Sequence, residues 1–117
     1  MKMDPKKLAE AMARARLEFG RGIDDRFEAI RTALTQARQA PDPSHELAEL
    51  TRLVHRLHGT AGSMGYPKLS LASAAVESFL GGVAERQDPG FDSSFWSDLE
   101  ARVAALPGAR SDDESGS

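Results

Sequence analysis

Apolar residues recur every three or four positions along almost the whole chain, and that spacing commits it to helix. Leu8, Met12, Ala15, Phe19, Ile23, Phe27, Ile30, Leu34 and Ala37 hold one face for about eight turns. Gly20 and Gly22 interrupt this run, each costing about 1 kcal/mol of helix propensity relative to alanine. The segment is therefore read as a short first helix followed by a second from about Arg21 to Gln39, one long bent helix being the alternative. Pro41 and Pro43 then stop it.

Later helices have clearer boundaries. Ser44 follows Pro43 and is expected to cap the next one, with Glu46 at the positive end of the dipole. Leu47, Leu50, Val54, Leu57, Ala61 and Met64 form its apolar stripe. Gly65 suits a C-terminal cap, and Pro67 comes after it. A fourth helix is expected from about Pro67 to Arg86, with Leu69, Ala72, Val76, Phe79 and Val83 inward. Asp88, Pro89 and Gly90 read as a turn. Asp92 is expected to cap a fifth helix, stapled by Phe91 and Trp96 and ended by Pro107. Its core residues are Phe95, Leu99, Val103 and Leu106. Short connections between amphipathic helices imply antiparallel neighbours. The expected fold is all-α: an antiparallel four-helix bundle over residues 1–106, with an additional short N-terminal helix. Residues 107–117 are small, polar and acidic, and are expected to form a disordered tail.

Composition removes several function classes. There is no cysteine, so neither disulfides nor thiolate metal sites are available. The net charge is −3, and Asp112, Asp113 and Glu114 supply part of it. A nucleic-acid binder would carry a basic stripe instead. No run approaches the ~18 apolar residues of a membrane span, and the charged MKMDPKKLAE start lacks the apolar core of a secretory signal. The expectation is a cytoplasmic protein with neither nucleic acid nor membrane as partner.

The stretch VHRLHGTAGSMG, Val54 to Gly65, carries the chemistry. At 100° per residue, His55 lies roughly 130° from the middle of the apolar stripe and faces solvent. Gly59 is on the same side, Gly62 and Thr51 lie beside it, and Arg52 and Arg56 bring positive charge. His58 falls at the boundary between core and surface. Neutral imidazole has a free lone pair near physiological pH. An exposed ring with cations nearby and little steric cover suits a nucleophile that accepts a phosphoryl group, since phosphoryl transfer needs in-line approach and charge neutralisation. The plainer reading is a surface histidine with incidental glycines. Two helix-interior glycines cost about 2 kcal/mol together, however, and that cost asks for a reason. His55 and His58 as an i, i+3 metal pair lack a carboxylate at useful spacing on their own helix, and no Glu-x-x-His pair occurs, so no metal is expected. His45 reads as a first-turn surface residue. Glu77 reads either as a hydrogen-bonding neighbour of the site or as a solvated glutamate.

The run His55–Arg56–Leu57–His58–Gly59–Thr60–Ala61–Gly62–Ser63–Met64–Gly65 resembles the signature of histidine phosphotransfer (HPt) domains. Those domains carry a phosphorylatable histidine, then leucine, lysine, glycine and small residues, closing on an apolar residue and glycine. Leu69 and Val76–Glu77 match the family's next helix. The resemblance implies a phosphorelay intermediate: His55 takes phosphate from a receiver-domain aspartate and passes it to another receiver. It implies response-regulator receiver domains and a hybrid histidine kinase as partners. Mg²⁺ is expected on the receiver, with no cofactor here and no ATP chemistry of the chain's own, because no glycine-rich ATP-binding box is present. His58 departs from the family by standing where lysine is usual. Arg52 and Arg56 are then candidates to replace the missing permanent cation. Two alternatives remain: the phosphoacceptor domain of a chemotaxis-type histidine kinase, and a helical adaptor or dimerisation module without phosphate chemistry. The start at Met1 and the fading polar end favour a complete stand-alone chain over a kinase fragment.

Overall fold

A computed structural model of the protein describes residues 4–85 and 90–115. The elements are α1 (Pro5–Gln39), α2 (Ser44–Ser63), α3 (Pro67–Glu85), α4 (Ser93–Ala104) and α5 (Leu106–Ser115). The described residues contain no strand, and the helices form the expected all-α bundle. Its outline differs from expectation at both ends. Residues 86–89 lie outside the described residues, and with them most of the expected Asp88–Gly90 turn and the helix end at Arg86.

At the N-terminal end there is no separate short helix: α1 runs unbroken through Gly20 and Gly22. Asp4 caps it by accepting from the Lys6 N–H at 3.0 Å, and Pro5 opens the first turn. Gly20 sits where α1 meets the α2–α3 connection, and a Cβ there would come within 2.9 Å of the Tyr66 hydroxyl oxygen. The neighbouring Phe19 and Ile23 are buried. Burying such side chains is worth roughly 1.5–3 kcal/mol each, which exceeds the ~1 kcal/mol propensity cost of each glycine. Tertiary packing therefore overrides the local break. At 1.5 Å per residue α1 is ~52 Å long, close to the 54 Å longest dimension of the molecule. Core packing begins at Phe19, and the earlier turns leave Leu8, Met12 and Leu17 exposed.

The start of α2 uses a different residue from the one expected. Asp42, not Ser44, organises it by accepting from the Ser44 N–H at 3.1 Å and the Ser44 hydroxyl at 2.7 Å. The end of α2 is as expected. Gly65 adopts φ +83°, and the Tyr66 N–H donates back to the Ala61 carbonyl at 2.9 Å, closing the helix with a left-handed residue. Leu50, Val54, Leu57, Leu69, Val76 and Leu99 are among the fully buried side chains that join α2, α3 and α4. Asp92 caps α4 through the Phe95 N–H at 2.9 Å, and the rings of Phe91 and Trp96 pack 6.3 Å apart.

The C-terminal end also differs from expectation: residues 106–115 are α5, not a disordered tail. Ala105 keeps helical angles and Pro107 falls in the first turn of α5, where proline is tolerated. Thus α4 and α5 together form the fourth limb of the bundle. Arg110, Asp113 and Glu114 of α5 have partners across the bundle. Arg110 donates to Asp24 of α1 at 2.8 Å, and Tyr66 donates to Glu114 at 3.1 Å. Asp113 accepts from the backbone N–H groups of Lys68 (3.0 Å) and Leu69 (2.8 Å). An acidic residue that reads as tail thereby caps the N-terminus of a helix distant in sequence.

Losing such a cap typically costs about 1 kcal/mol. Asp113→Ala should therefore lower the melting temperature by about 4 °C, whereas Asp112→Ala, at an exposed neighbour, should change it little. Equal effects of the two substitutions in calorimetry would remove the capping role.

Candidate functional site

His55, on α2, projects from the bundle with 71% of its side chain exposed. His58, one turn later and closer to α3, is 40% exposed. Both rings meet one carboxylate, that of Glu77 on α3. His58 Nδ1 lies 2.9 Å from Glu77 Oε1, and His55 Nδ1 is hydrogen-bonded to Oε2. Glu77 is the only charged residue between Leu69 and Ala84.

These contacts determine which ring nitrogen is free. An ionised carboxylate only accepts hydrogen bonds. The hydrogen bond from His55 holds the Glu77 carboxyl below the usual carboxylate range, against burial, which pushes it up; the bond from His58 lowers it further. Both Nδ1 atoms therefore carry hydrogen and donate. In neutral His55 this leaves the lone pair on Nε2, the nitrogen away from Glu77. Glu77 thus acts on His55 as a base-orienting carboxylate does, fixing the tautomer and facing the cation the ring becomes when Nε2 forms a bond.

The remaining sequence candidates divide. Arg52 turns along its own helix to Glu49, donating through Nε to Oε2 at 3.0 Å. Arg56 lines a shallow groove with Asp25, Arg26 and Ala29 of α1. The geometry joins neither arginine to the His55–Glu77–His58 cluster. Gly59 is exposed, and a Cβ there would meet nothing within 4 Å. Gly62 has a packing role instead, because a Cβ there would come within 3.2 Å of Ser70 Oγ. The Ser70 hydroxyl donates to the His58 carbonyl at 3.2 Å, so small residues on both helices bring α3 close beneath the histidines. Among the described residues no group of three histidine, aspartate or glutamate side chains is placed to hold a metal ion, and no helix is long and apolar enough to cross a membrane.

This arrangement is a four-limbed helical bundle presenting a carboxylate-oriented histidine with an open nitrogen. The family model of the Hpt domain matches residues 14–109, and the chain belongs to that family. No curated protein and no solved structure matches it. Membership gives the protein a phosphotransfer role in two-component signalling, a system in which Hpt domains work with receiver domains and histidine kinases.

Two measurements check the site's construction. Gly59→Ala should raise stability by about 1 kcal/mol from helix propensity alone, and Gly62→Ala should gain less because Ser70 must give way. Similar gains in both variants would contradict the packing role of Gly62. Glu77, whose pKa is lowered on folding, contributes stability above its ordinary value of 4.5 that is lost as pH falls through the lower folded value. The stability gap between wild type and Glu77→Gln should therefore be present at neutral pH and close under acid. A gap that is constant with pH would exclude ionised Glu77 as its source.

Proposed function

We propose that the protein is a phosphorelay intermediate in which His55 Nε2 accepts a phosphoryl group from a receiver-domain aspartate and returns it to a second receiver. The observation that carries this reading is the Glu77 hydrogen bond, which occupies Nδ1 and leaves Nε2 free on an exposed ring. The Nε2 lone pair attacks phosphorus in line, the N–P bond forms, and the P–O bond to the aspartyl carboxylate breaks. The aspartate leaves as a carboxylate. No proton has to leave the imidazole during attack, because Nδ1–H remains donated to Glu77, whose negative charge faces the newly cationic ring. The same steps in reverse load the next receiver. Mg²⁺ and the donor and acceptor aspartates belong to the partners.

The surface around the ring supports docking of a globular partner. Gly59 leaves open space beside His55. On α3, Leu71 is 72% exposed, and Ala75, Ser78, Gly81 and Gly82 are small and exposed.

Purified protein mixed with a panel of phosphorylated receiver domains should become labelled within minutes, while ATP and Mg²⁺ alone should leave it unlabelled. His55→Gln should abolish labelling and shift stability by at most about 0.5 kcal/mol, as surface substitutions usually do. Gly59→Arg should slow labelling by receivers without loss of helix. Persistent labelling of His55→Gln, or label acquired from ATP alone, would overturn the proposal.

A further inference from the structure

His58 occupies the position where the family signature carries a permanent cation, and the obvious role for it would be charge on the phosphoryl group. The geometry points elsewhere. Its Nδ1 is already committed to Glu77 Oε1 at 2.9 Å, the same ring atom that His55 presents to Oε2. It is also the less exposed of the two rings.

We propose that His58 is a positioning residue: by donating Nδ1–H to one oxygen of Glu77, it pins the carboxylate so that the other oxygen holds His55 with Nε2 outward. This rests on the reading of His55 as the phosphoryl acceptor. A glutamate side chain has three rotatable torsions, and one hydrogen bond to an exposed ring leaves it free to swing into water. Two donors on two oxygens fix the plane of the carboxylate and hence the direction from which it accepts the His55 proton. Among the described residues no other donor is hydrogen-bonded to Glu77. Arg52 is turned to Glu49, Arg56 lies along the α1 groove, and Ser70 is bonded to the His58 carbonyl. A neutral N–H donor is sufficient for this role, and a charge is not required.

That requirement separates positioning from cation chemistry. Asparagine places an amide N–H on the same carbon that bears Nδ1 in histidine. His58→Asn should therefore keep the Glu77 bond and retain phosphoryl transfer within about twofold of wild type, whereas His58→Leu, of similar bulk but without a donor, should slow it about fivefold, the worth of about one net hydrogen bond. His58→Lys also supplies a donor and should transfer at least as well as wild type. If asparagine fails as badly as leucine while lysine works, His58 acts through charge and the proposal is wrong.

The second readout needs no phosphate. In ¹⁵N–¹H spectra of the unphosphorylated protein, wild type and His58→Asn should show His55 as the Nδ1–H tautomer, and His58→Leu should show a shift toward the Nε2–H form. An unchanged His55 tautomer in His58→Leu would overturn the positioning role, whether or not any receiver labels the protein. Absence of labelling in wild type with the tautomer shift intact would instead count against the relay reading.

Discussion

The close approach of α2 and α3 governs the chemistry of this bundle. Gly62 gives no side chain to the contact, Ser70 fills the space, and the Ser70 hydroxyl ties to the His58 carbonyl. Two turns further along α3, Glu77 arrives between two imidazoles one turn apart on α2. A wider helix pair would put Glu77 in water, where a single exposed contact with a histidine is worth little. The packed geometry turns it into a bridging acceptor, and the free nitrogen of His55 follows from that.

The far end of the molecule holds the same helix pair in register. Tyr66 sits in the α2–α3 connection, packs edge-on against Phe19 at 5.4 Å and donates to Glu114. Asp113 caps α3 from α5, while Arg110 reaches back to α1. Thus α1 and α5 both reach the start of α3, through Tyr66 and Asp113, and Arg110 ties those two helices to each other. Glu77 lies about 13 Å further along that helix, at 1.5 Å per residue, so a rigid start to α3 helps to fix where its carboxylate arrives.

Most of the helical layout was legible because amphipathic spacing and caps are local signals. The α2 stripe, the left-handed Gly65 and the Asp92 cap all follow from short sequence windows. The corrections at the two ends of the bundle have one cause: local signals do not report distant partners. Gly20 reads as a break until Tyr66 is seen against it, and the Asp113–Glu114 run reads as a solvated tail until its acceptors meet α3 and Tyr66. The same limit applied at the site. His55 on a polar face was readable from helical periodicity, but the shared carboxylate was not, because Glu77 is 22 residues from His55. The isolation of Glu77 in an uncharged run and the family match at Val76–Glu77 pointed to it as a neighbour of the site, but not to its bridging of both rings. Arg52 and Arg56 looked apt by proximity in sequence, yet their side chains turn to Glu49 and toward the α1 groove.

The glycines of this chain differ in what surrounds them. Gly20 and Gly62 face nearby side chains, and Gly65 adopts a backbone angle that other residues rarely take. Each of these has a reason inside the molecule. Gly59, like Gly22, Gly81 and Gly82, lies within a helix with nothing near the absent Cβ. Alanine there would strengthen the helix at no steric cost within the fold. In the proposed relay, Gly59, one turn from a histidine with an open nitrogen, leaves the approach of a receiver uncovered. Phosphoryl transfer between two proteins requires the acceptor nitrogen to reach a phosphorus held within another active site. In the proposed relay, any side chain at Gly59 would stand beside that path.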